Sequence, residues 1–275
     1  MLSTTMIGKK YNLTAKPHFF NFLINHGYIE KDYKYYKLTS KGFSVGGEYK
    51  CNEKGEKWIV WDEKQFYQVI KDFKLSVLKK NRVFLIYHMT HIRHLDTILK
   101  YGLFSHNNPY KKVDISNQEV NNRRDKIEPI YNESIHNYVP FYFNPRNAML
   151  YRNKVQFGDN IIILGFSNKI ICKNNVVFTN ANAAADNTLF TNDITQLLNN
   201  EFIDFSKVFS NSWNNYGEPD YHLKQIMMSE VLIKKHVESQ YIQVIFCQNE
   251  SVKSYIRNTF NIKNIQLKVN NEIFF

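Results

Sequence analysis

The sequence has no long hydrophobic run, few cysteines, and fewer acidic than basic side chains. No stretch approaches the about 18 uninterrupted apolar residues of a membrane-spanning helix. The first residues, MLSTTMIGKKYNL, lack the charged, apolar and small-residue succession of a signal peptide, so we expect a cytoplasmic protein with no membrane partner. Cys51, Cys172 and Cys247 are odd in number and form no CxxC pair, which argues against a disulfide framework and a cysteine-rich zinc site.

The shortage of acidic residues is concentrated near the start of the chain. The 275 residues include 36 Lys and Arg against 25 Asp and Glu, a formal net charge of +11. Residues 1–80 contribute +7 of it, from 15 lysines and 8 acidic side chains, and residues 81–275 contribute +4. A basic segment beside a nearly balanced one indicates that the basic segment contacts a polyanion. The alternative is a surface that is merely basic and soluble.

Residues 1–80 are predicted to form a winged-helix-like, DNA-binding module with a connecting helix. Apolar residues in AKPHFFNFLINHG recur at helical spacing until Gly27, a suitable C-terminal cap. Aromatic and β-branched residues then alternate with turn signals up to KWIVW, as in two or three strands. Lysines on such a hairpin can contact phosphates and tyrosines can stack on bases. A protein-contact or purely structural wing remains the alternative.

The second segment, residues 81–275, opens with a predicted buried strand at residues 83–88. A helix follows, with apolar residues from Ile92 at helical spacing and Gly102 at its end. His88, His91 and His94 suggest a metal site, but on a helix this spacing scatters the imidazoles, so we predict no metal. We instead interpret His88 and Thr90 as polar residues at the C-terminal end of a strand, where they can contact a ligand. The alternative for His88 is a hydrogen-bonded core histidine.

Three later stretches carry polar residues in unusual places. The first is VDISNQEVNNRRDKI, in which Arg123 and Arg124 are adjacent. The second is HNYVPFYFNPRNAMLYR, in which an aromatic strand ends at NPRN, and the proline there begins a turn that leads into a helix. Glu230 stands at the start of the apolar strand in QIMMSEVLI. A carboxylate there is costly unless it is paired or used in chemistry.

Five blocks in this order resemble the DarT family of toxins, which ADP-ribosylate DNA bases. They are YHMTHIRHLDTILKYGLFSHN, NNRRDKI, HNYVPFYFNPRNAMLY, VVFTNANAAA and MMSEVLI. The resemblance covers about 70% of the chain and leaves out the first 80 residues. It departs from the family pattern at His94, where many relatives have a neutral polar residue, and at Asn180, which replaces an acidic one.

The resemblance implies an α+β ADP-ribosyltransferase fold for residues 81–275: two packed, mostly antiparallel sheets with flanking helices and NAD in the cleft. It makes Arg124 and Glu230 catalytic, and it makes the segment Pro109–Lys126 the element that grips NAD. It assigns no role to Arg123, and it makes Thr179–Glu230 the loop that presents the nucleic acid. The residues that match NAD contacts are His88, Met89, Thr90, Thr97, Phe104, Arg124, Tyr142 and Met149.

These residue types suit the implied reaction. Cleavage of the nicotinamide bond develops positive charge on the ribose, which a fixed carboxylate such as Glu230 stabilises in the transition state. Glu230 can also assist proton loss from the acceptor base, while Arg124 acts electrostatically because its pKa is too high for a base. An exposed base is needed, so we expect single-stranded DNA. The YVPFYFNPR and FTNANA blocks resemble the branch of the family that modifies thymidine more than the branch that modifies guanosine, so the resemblance implies thymidine as the target.

Three alternatives stay open from the sequence. The same fold could modify guanosine or RNA, or the chain could be a DNA-binding regulator that senses NAD without catalysis. Retention of both Arg124 and Glu230 argues against the regulator. The family resemblance also implies a neutralising partner, a macrodomain antitoxin that removes ADP-ribose from DNA.

Overall fold

The chain divides near the lysine-rich end of a long amphipathic helix. The computed structural model describes residues 1–107, 124–173, 175–215 and 217–275. One compact unit comprises Met1–Lys80 together with Asp193–Leu198, and the other comprises Asn81–Asn192 and Asn199–Phe275. The short segment at residues 193–198 is a difference from the sequence-based division, which assigned it to the second part. This segment begins 113 residues after Lys80, so no local sequence pattern indicates that it belongs to the first unit.

The first unit alternates short helices with two hairpins. Its strands form one sheet in the order β1, β5, β4 and a separate hairpin of β2 and β3. An irregular helical turn at Ala15–Phe19 precedes α2, and the returning segment forms a 3₁₀ helix at Ile194–Leu198. The elements are β1 (Leu2–Ser3), α1 (Thr4–Lys10), α2 (Phe20–Asn25), β2 (Ile29–Asp32), β3 (Tyr35–Leu38), α3 (Ser40–Ser44), β4 (Gly47–Cys51), β5 (Lys57–Trp61) and α4 (Glu63–Lys80).

An aromatic core holds the first unit together. Trp61 and Phe66 stack with ring centroids 4.0 Å apart, and the Trp61 indole N–H donates to the Thr4 hydroxyl at 2.9 Å. The predicted helix ends before Gly27, whose φ of +71° suits a residue without a side chain. The sequence SKG, predicted as a turn, instead opens α3, because the Thr39 hydroxyl accepts the N–H of Gly42 at 3.0 Å and caps a helical turn.

The second unit is a large sheet with helices and shorter hairpins around it. The longer strands of the sheet contain apolar runs, as in β11 and β18. Within the described ranges, no helix combines the length and hydropathy needed to cross a lipid bilayer. Its elements are β6 (Leu85–His91), α5 (Leu95–Tyr101), β7 (Leu103–Phe104), β8 (Ile127–Glu128), β9 (Glu133–Ser134), β10 (Tyr138–Tyr142), α6 (Ala148–Phe157), β11 (Ile161–Ser167), β12 (Val176–Thr179), β13 (Phe190–Thr191), α7 (Phe205–Val208), β14 (Asn214–Asn215), β15 (Glu218–Pro219), α8 (Tyr221–Ile226), β16 (Glu230–Lys234), β17 (His236–Val237), β18 (Ile242–Cys247), α9 (Glu250–Thr259) and β19 (Gln266–Val269).

The sheet has two halves that meet at a single residue pair. Its strand order is β13, β12, β16, β10, β6, β11, β18, β19, and the pairing of β18 with β19 is parallel while the others are antiparallel. β16 pairs with β10 over five positions and β6 with β11 over seven, but β10 and β6 share one pair, Tyr142 with Tyr87. The strands are mostly antiparallel, as expected for an α+β ADP-ribosyltransferase fold, and β18, α9 and β19 complete one half of the sheet.

The strand β6 is longer than the sequence pattern predicts. The apolar run suggested a strand at residues 83–88, yet β6 continues to His91, and a 3₁₀ turn at Ile92–His94 leads into α5. Thr90 and His91 pair with Ile162 and Ile161 of β11, so a partner strand distant in sequence satisfies their backbone groups. Pairing with β11 thus extends the strand through MTH, although the polar residues there suggested that the strand would end.

A buried carboxylate anchors the chain directly after Arg124. Glu128 has no exposed surface and accepts hydrogen bonds from the backbone N–H of Ile130 at 2.6 Å and of Tyr131 at 3.1 Å. It also accepts the Tyr138 hydroxyl at 2.8 Å, which ties this turn to the start of β10. Burial and the bonded carboxylate raise the pKa of Tyr138 above its ordinary value, so the hydroxyl remains a donor at neutral pH.

Replacing Glu128 with glutamine tests this anchor. The amide nitrogen cannot accept the donors that converge on the carboxylate, so we expect the free energy of unfolding to fall by about 1–3 kcal/mol. Urea denaturation of the purified chain measures the change. Glu250→Gln is the matched control, because the Glu250 side chain is 72% exposed. Equal stability of both variants would contradict the anchoring role.

Candidate active site

A bidentate ion pair lies at the end of β16 that faces the junction of the two sheet halves. The two guanidinium nitrogens of Arg124 lie 3.3 and 3.0 Å from the two carboxylate oxygens of Glu230. Arg124 is 8% exposed and Glu230 has no exposed surface. Residues 106 positions apart are thus brought into contact. The paired, buried carboxylate is the arrangement that the position of Glu230 before an apolar strand predicted.

The loop that precedes β13 holds Glu230 from the other side. The backbone N–H of Ala183 donates to a Glu230 carboxylate oxygen at 3.0 Å. The Thr179 hydroxyl accepts the backbone N–H of Glu230 at 2.9 Å and donates to the Ala181 carbonyl at 2.6 Å. The carboxylate is therefore fixed by a cation and a backbone amide, while its backbone is fixed by a buried threonine. Neither Thr179 nor Ala183 was selected from the sequence, although both lie in the VVFTNANAAA block.

Tyr142 stands beside Glu230 on the neighbouring strand. Tyr142 is the cross-strand partner of Glu230 on one side and of Tyr87 on the other, so the three side chains share one face of the sheet. Burial, followed by the Glu230 carboxylate, raises the pKa of the Tyr142 hydroxyl above its ordinary value. Burial lowers the pKa of Arg124, but the Glu230 carboxylate outweighs this and leaves it raised. At neutral pH both groups are protonated.

His88 is a neutral imidazole on β6, within reach of the charge of Arg124. Its Nδ1 lies 2.9 Å from the Pro140 carbonyl oxygen, which can only accept, so Nδ1 carries the proton and Nε2 is an acceptor. Desolvation lowers the pKa of His88, and the charge of Arg124 lowers it further. The ring also contacts Phe141 edge-on at 5.8 Å. The hydrogen-bonded core histidine and the ligand-facing histidine considered from the sequence are both compatible with this geometry.

The structure groups some of the predicted NAD contacts and separates others. Met89, Tyr142 and Met149 belong to one apolar cluster on the face that carries Glu230. His88 and Thr90 alternate with Met89 along β6 and so point to the opposite face. Their roles, like those of the remaining residues, stay predictions: Thr97 is exposed on α5, and Phe104 stacks on His236 with ring centroids 4.3 Å apart.

Parts of the predicted site lie outside the described residues. Of the predicted NAD-gripping segment, Arg124 to Lys126 are described at the end next to β8, and Arg123 is not described. Lys126 donates to the Ala184 carbonyl at 3.0 Å and pairs with Asp186. In the described part of the chain, no group of three or more His, Cys, Asp or Glu side chains could hold a metal ion.

A cavity of about 440 Å³ is lined in part by the two neighbours of Ala183, the residue whose backbone N–H donates to Glu230. One wall is the start of α6, where the Asn147 side chain accepts the N–H groups of Met149 and Leu150 at 3.0 and 3.2 Å. Other lining residues come from the segment between α7 and α8 and from α8 itself, including Trp213 and Tyr221. Asn182 and Ala184, which flank the Ala183 amide on Glu230, also line it. Both sequence neighbours of Ala183, whose amide binds the Glu230 carboxylate, thus line the cavity.

The lowered pKa of His88 predicts a pH dependence of stability. The unfolded histidine, with a pKa of about 6.5, binds a proton more readily than the folded one. The free energy of unfolding should therefore fall as the pH decreases through about 6.5 towards the lower folded pKa. His88→Asn keeps a donor for Pro140 and removes the titration, so its stability should vary less between pH 8 and 5. Urea denaturation across this range, with the exposed His222→Asn as control, checks it; an unchanged slope would contradict the assignment.

Similarity to known proteins covers the second unit. Residues 87–275 match the family model described as "ssDNA thymidine ADP-ribosyltransferase, DarT". A DNA ADP-ribosyl transferase-DNA ADP-ribosyl glycohydrolase fusion protein of Thermosipho africanus is 25% identical over 202 residues, which cover 69% of this chain and 49% of the relative. A DNA ADP-ribosyl transferase of Thermus aquaticus is 26% identical over 189 residues, which cover 63% of this chain and 79% of the relative. The chain thus spans about half the length of the fusion protein.

Solved structures agree with the fold. Thermosipho africanus DarTG in complex with ADP-ribose matches with a TM-score of 0.60 and 26% identity over 70% of this chain and 51% of that one. Thermus sp. 2.9 DarT in complex with ADP-ribosylated ssDNA matches with a TM-score of 0.59 and 23% identity over 70% and 97% of the two chains. Because the family model matches well over half of the residues, the chain belongs to the DarT family.

Proposed function

We propose that this chain transfers ADP-ribose from NAD to a base, thymidine, in single-stranded DNA and releases nicotinamide. The observation that carries the proposal is the buried, bidentate pair of Arg124 and Glu230, whose carboxylate is held by a loop that also lines a cavity large enough for a nucleotide. The family to which the chain belongs and the ADP-ribosylated ssDNA in the Thermus sp. 2.9 structure support the same reaction. NAD is consumed as a substrate, and no metal is required by these residues.

Glu230 is the residue that stabilises the transition state. As the bond from nicotinamide to ribose breaks, positive charge grows on the ribose C1 and ring oxygen, and a preorganised carboxylate lowers the energy of that charge. The Ala183 amide and the Arg124 guanidinium hold the carboxylate in place before the reaction begins. The same carboxylate can take the proton that the base must lose when its nitrogen bonds to the ribose.

Arg124 acts by charge and orientation. Its pKa is raised above a value that is already very high, so it cannot serve as a base near neutral pH. A guanidinium has five N–H donors, and the bidentate pair uses two of them on Glu230. The remaining donors are suited to phosphate oxygens of NAD or to a carbonyl of the acceptor base.

A second candidate uses the same machinery on guanosine or on RNA. Thymine and guanine both offer a carbonyl to Arg124, so the pair does not distinguish them, and the walls of the cavity decide between these targets. A regulator that senses NAD without catalysis is disfavoured, because leaving a charged pair buried in an unused site costs desolvation energy with no return in function.

Neutralisation by a partner follows from the chemistry of the product. The Thermosipho africanus relative joins a DNA ADP-ribosyl transferase to a DNA ADP-ribosyl glycohydrolase, an activity of opposite sense. We propose that the present chain is a toxin that blocks replication and is opposed by a macrodomain antitoxin. NAD and exposed DNA strands meet inside the cell, so the proposed reaction places the chain in the cytoplasm.

The basic first unit is proposed to gather DNA. Its β2–β3 hairpin ends in an aromatic and basic tip, in which Tyr33 is 93% and Tyr35 is 72% exposed and Lys34 lies between them. Exposed tyrosines can stack on bases and neighbouring lysines can contact phosphates. The winged-helix assignment of residues 1–80 remains a prediction on which this proposal does not depend.

Glu230→Gln tests the catalytic assignment. The glutamine keeps the shape but loses the charge, so we expect transfer to fall by about 10²–10³-fold or more. Mass spectrometry of single-stranded oligonucleotides incubated with NAD and the full chain locates and counts any added ADP-ribose. Glu250→Gln is the control, and thermal denaturation verifies that Glu230→Gln is folded. Full activity of a folded Glu230→Gln chain, or no modification by the wild type, would sink the proposal.

Charge reversal tests the proposed DNA contacts of the first unit. Lys31→Glu with Lys34→Glu should weaken oligonucleotide binding and reduce the slope of log K against log salt by about 0.7 for each phosphate that the variant no longer neutralises. Fluorescence anisotropy measures the affinity and its salt dependence between about 50 and 200 mM salt, a range over which phosphate contacts weaken strongly. Arg257→Glu with Lys263→Glu, two exposed cations of the second unit, is the control. An unchanged slope in the first pair would remove the hairpin from DNA binding.

A further inference from the structure

The NPRN turn between β10 and α6 holds a segment of backbone that is distant in sequence. The Asn144 side-chain amide donates to the carbonyl oxygens of Val208 and Ser210 at 2.7 and 3.3 Å. The Arg146 guanidinium donates to the carbonyl oxygen of Asn211 at 3.0 Å. All three carbonyls belong to the stretch that runs from the end of α7 towards β14. The proposed transfer gives neither Asn144 nor Arg146 a role, so this clamp needs an explanation of its own.

Arg146 also holds a second segment. Its Nη1 donates to the backbone carbonyls of Glu272 and Phe274 at 2.8 and 3.1 Å. Its guanidinium carbon lies 4.1 Å from the centroid of the Phe275 ring, which is a cation–π distance. A planar guanidinium presents its donors in a fixed fork, whereas a lysine ammonium is a compact charge on a flexible stem. Arg146 therefore ties this segment to the stretch that Asn144 holds.

The two segments meet at Trp213. The Phe275 ring contacts the rings of Trp213 and Tyr151, with centroids 5.4 and 5.2 Å apart, and these two rings lie 6.1 Å from each other. Trp213 and Tyr151 are among the described residues that line the cavity, and Phe275 and Arg146 are not. The arginine and the phenylalanine therefore act on the cavity through the aromatic residues in its wall.

The hairpin that follows Trp213 has few attachments of its own. β14 and β15 share two residue pairs, and Asn214, Glu218 and Pro219 are exposed. The Trp213 carbonyl accepts the N–H of Asp220 at 2.8 Å, which closes the hairpin without fixing it to the sheet. A two-stranded hairpin by itself is marginally stable at best. The place of the Trp213 indole thus depends on the clamped carbonyls before it and on its ring contacts.

We propose that Arg146 and Phe275 are positioning residues, which hold Trp213 in the cavity wall so that this wall contacts the substrate strand. The inference rests on the proposed function and deepens it. The wall suits a nucleic acid, because the Lys224 ammonium lies 6.0 Å from the Trp213 ring centroid, and flat rings beside cations favour single strands. An indole that is already held in place loses less conformational freedom on binding. The affinity for DNA therefore depends on two residues outside the described lining of the cavity.

Tryptophan fluorescence tests the position of the indole without NAD or DNA. The chain has three tryptophans, so the emission of each variant minus that of its Trp213→Phe counterpart isolates the Trp213 signal. We expect Arg146→Lys and Phe275→Leu to shift this signal to longer wavelength and to increase its quenching by acrylamide, because water reaches the released indole. The matched controls are Arg257→Lys, at an exposed position, and Phe260→Leu, in a half-buried aromatic pair elsewhere.

A double-mutant cycle tests whether Arg146 acts through Trp213. Anisotropy measures the affinity of full-length chains for a single-stranded oligonucleotide, and calorimetry measures their affinity for NAD. We expect Arg146→Lys and Trp213→Leu each to weaken DNA binding by about 10-fold, the size of one lost base–aromatic contact. The double variant should bind no more weakly than Trp213→Leu alone, because the arginine has no indole left to position. Affinity for NAD should not change in Arg146→Lys.

Other results overturn the inference. If the Trp213 emission is unchanged in both Arg146→Lys and Phe275→Leu, these residues do not position the indole. Additive losses in the cycle, or a parallel fall in NAD affinity, would show that Arg146 stabilises the domain in general, and a wild type that binds no oligonucleotide would remove the substrate from the account. A wild type that shows the expected emission and binding but modifies no oligonucleotide supports the positioning role and contradicts the proposed transfer, so the two failures are distinguishable.

Discussion

The contact between the Arg124 guanidinium and the Glu230 carboxylate is the interaction on which the second unit's chemistry depends. Both groups are removed from water, and each alone would be an uncompensated buried charge. Removal of one partner from such a pair typically destabilises a protein by about 3–5 kcal/mol. A purely structural core would avoid the cost of burying such a pair, and the catalytic role that we propose for Glu230 would explain why it is buried here.

The sheet determines where this pair lies. Tyr142 connects Glu230 on β16 to Tyr87 on β6, and this single pair joins two halves that are otherwise separately hydrogen-bonded. Thr179 on β12 accepts the backbone N–H of Glu230 from the opposite side. The carboxylate is thus placed by three strands distant in sequence. The loop that completes its hydrogen bonds also forms the cavity wall, so changes in that loop can alter the acceptor without moving Glu230.

The sequence predicted the pairing of the buried carboxylate better than it predicted the bounds of the strands. Glu230 was detectable because a carboxylate before an apolar strand needs a partner, and the motif order supplied Arg124. The extension of β6 to His91 could not be detected from the sequence, because the backbone groups of Thr90 and His91 pair with Ile162 and Ile161 on a strand that is distant in sequence.

The most direct test of the central claim is a double-mutant cycle for single-turnover transfer by the wild type, Arg124→Gln, Glu230→Gln and the double variant. If the two residues act as one buried unit, their effects are strongly non-additive. We expect the double variant to be about as slow as Glu230→Gln alone. Additive losses in the logarithm of the rate, with all four chains folded, would contradict the claim that the pair works as a unit.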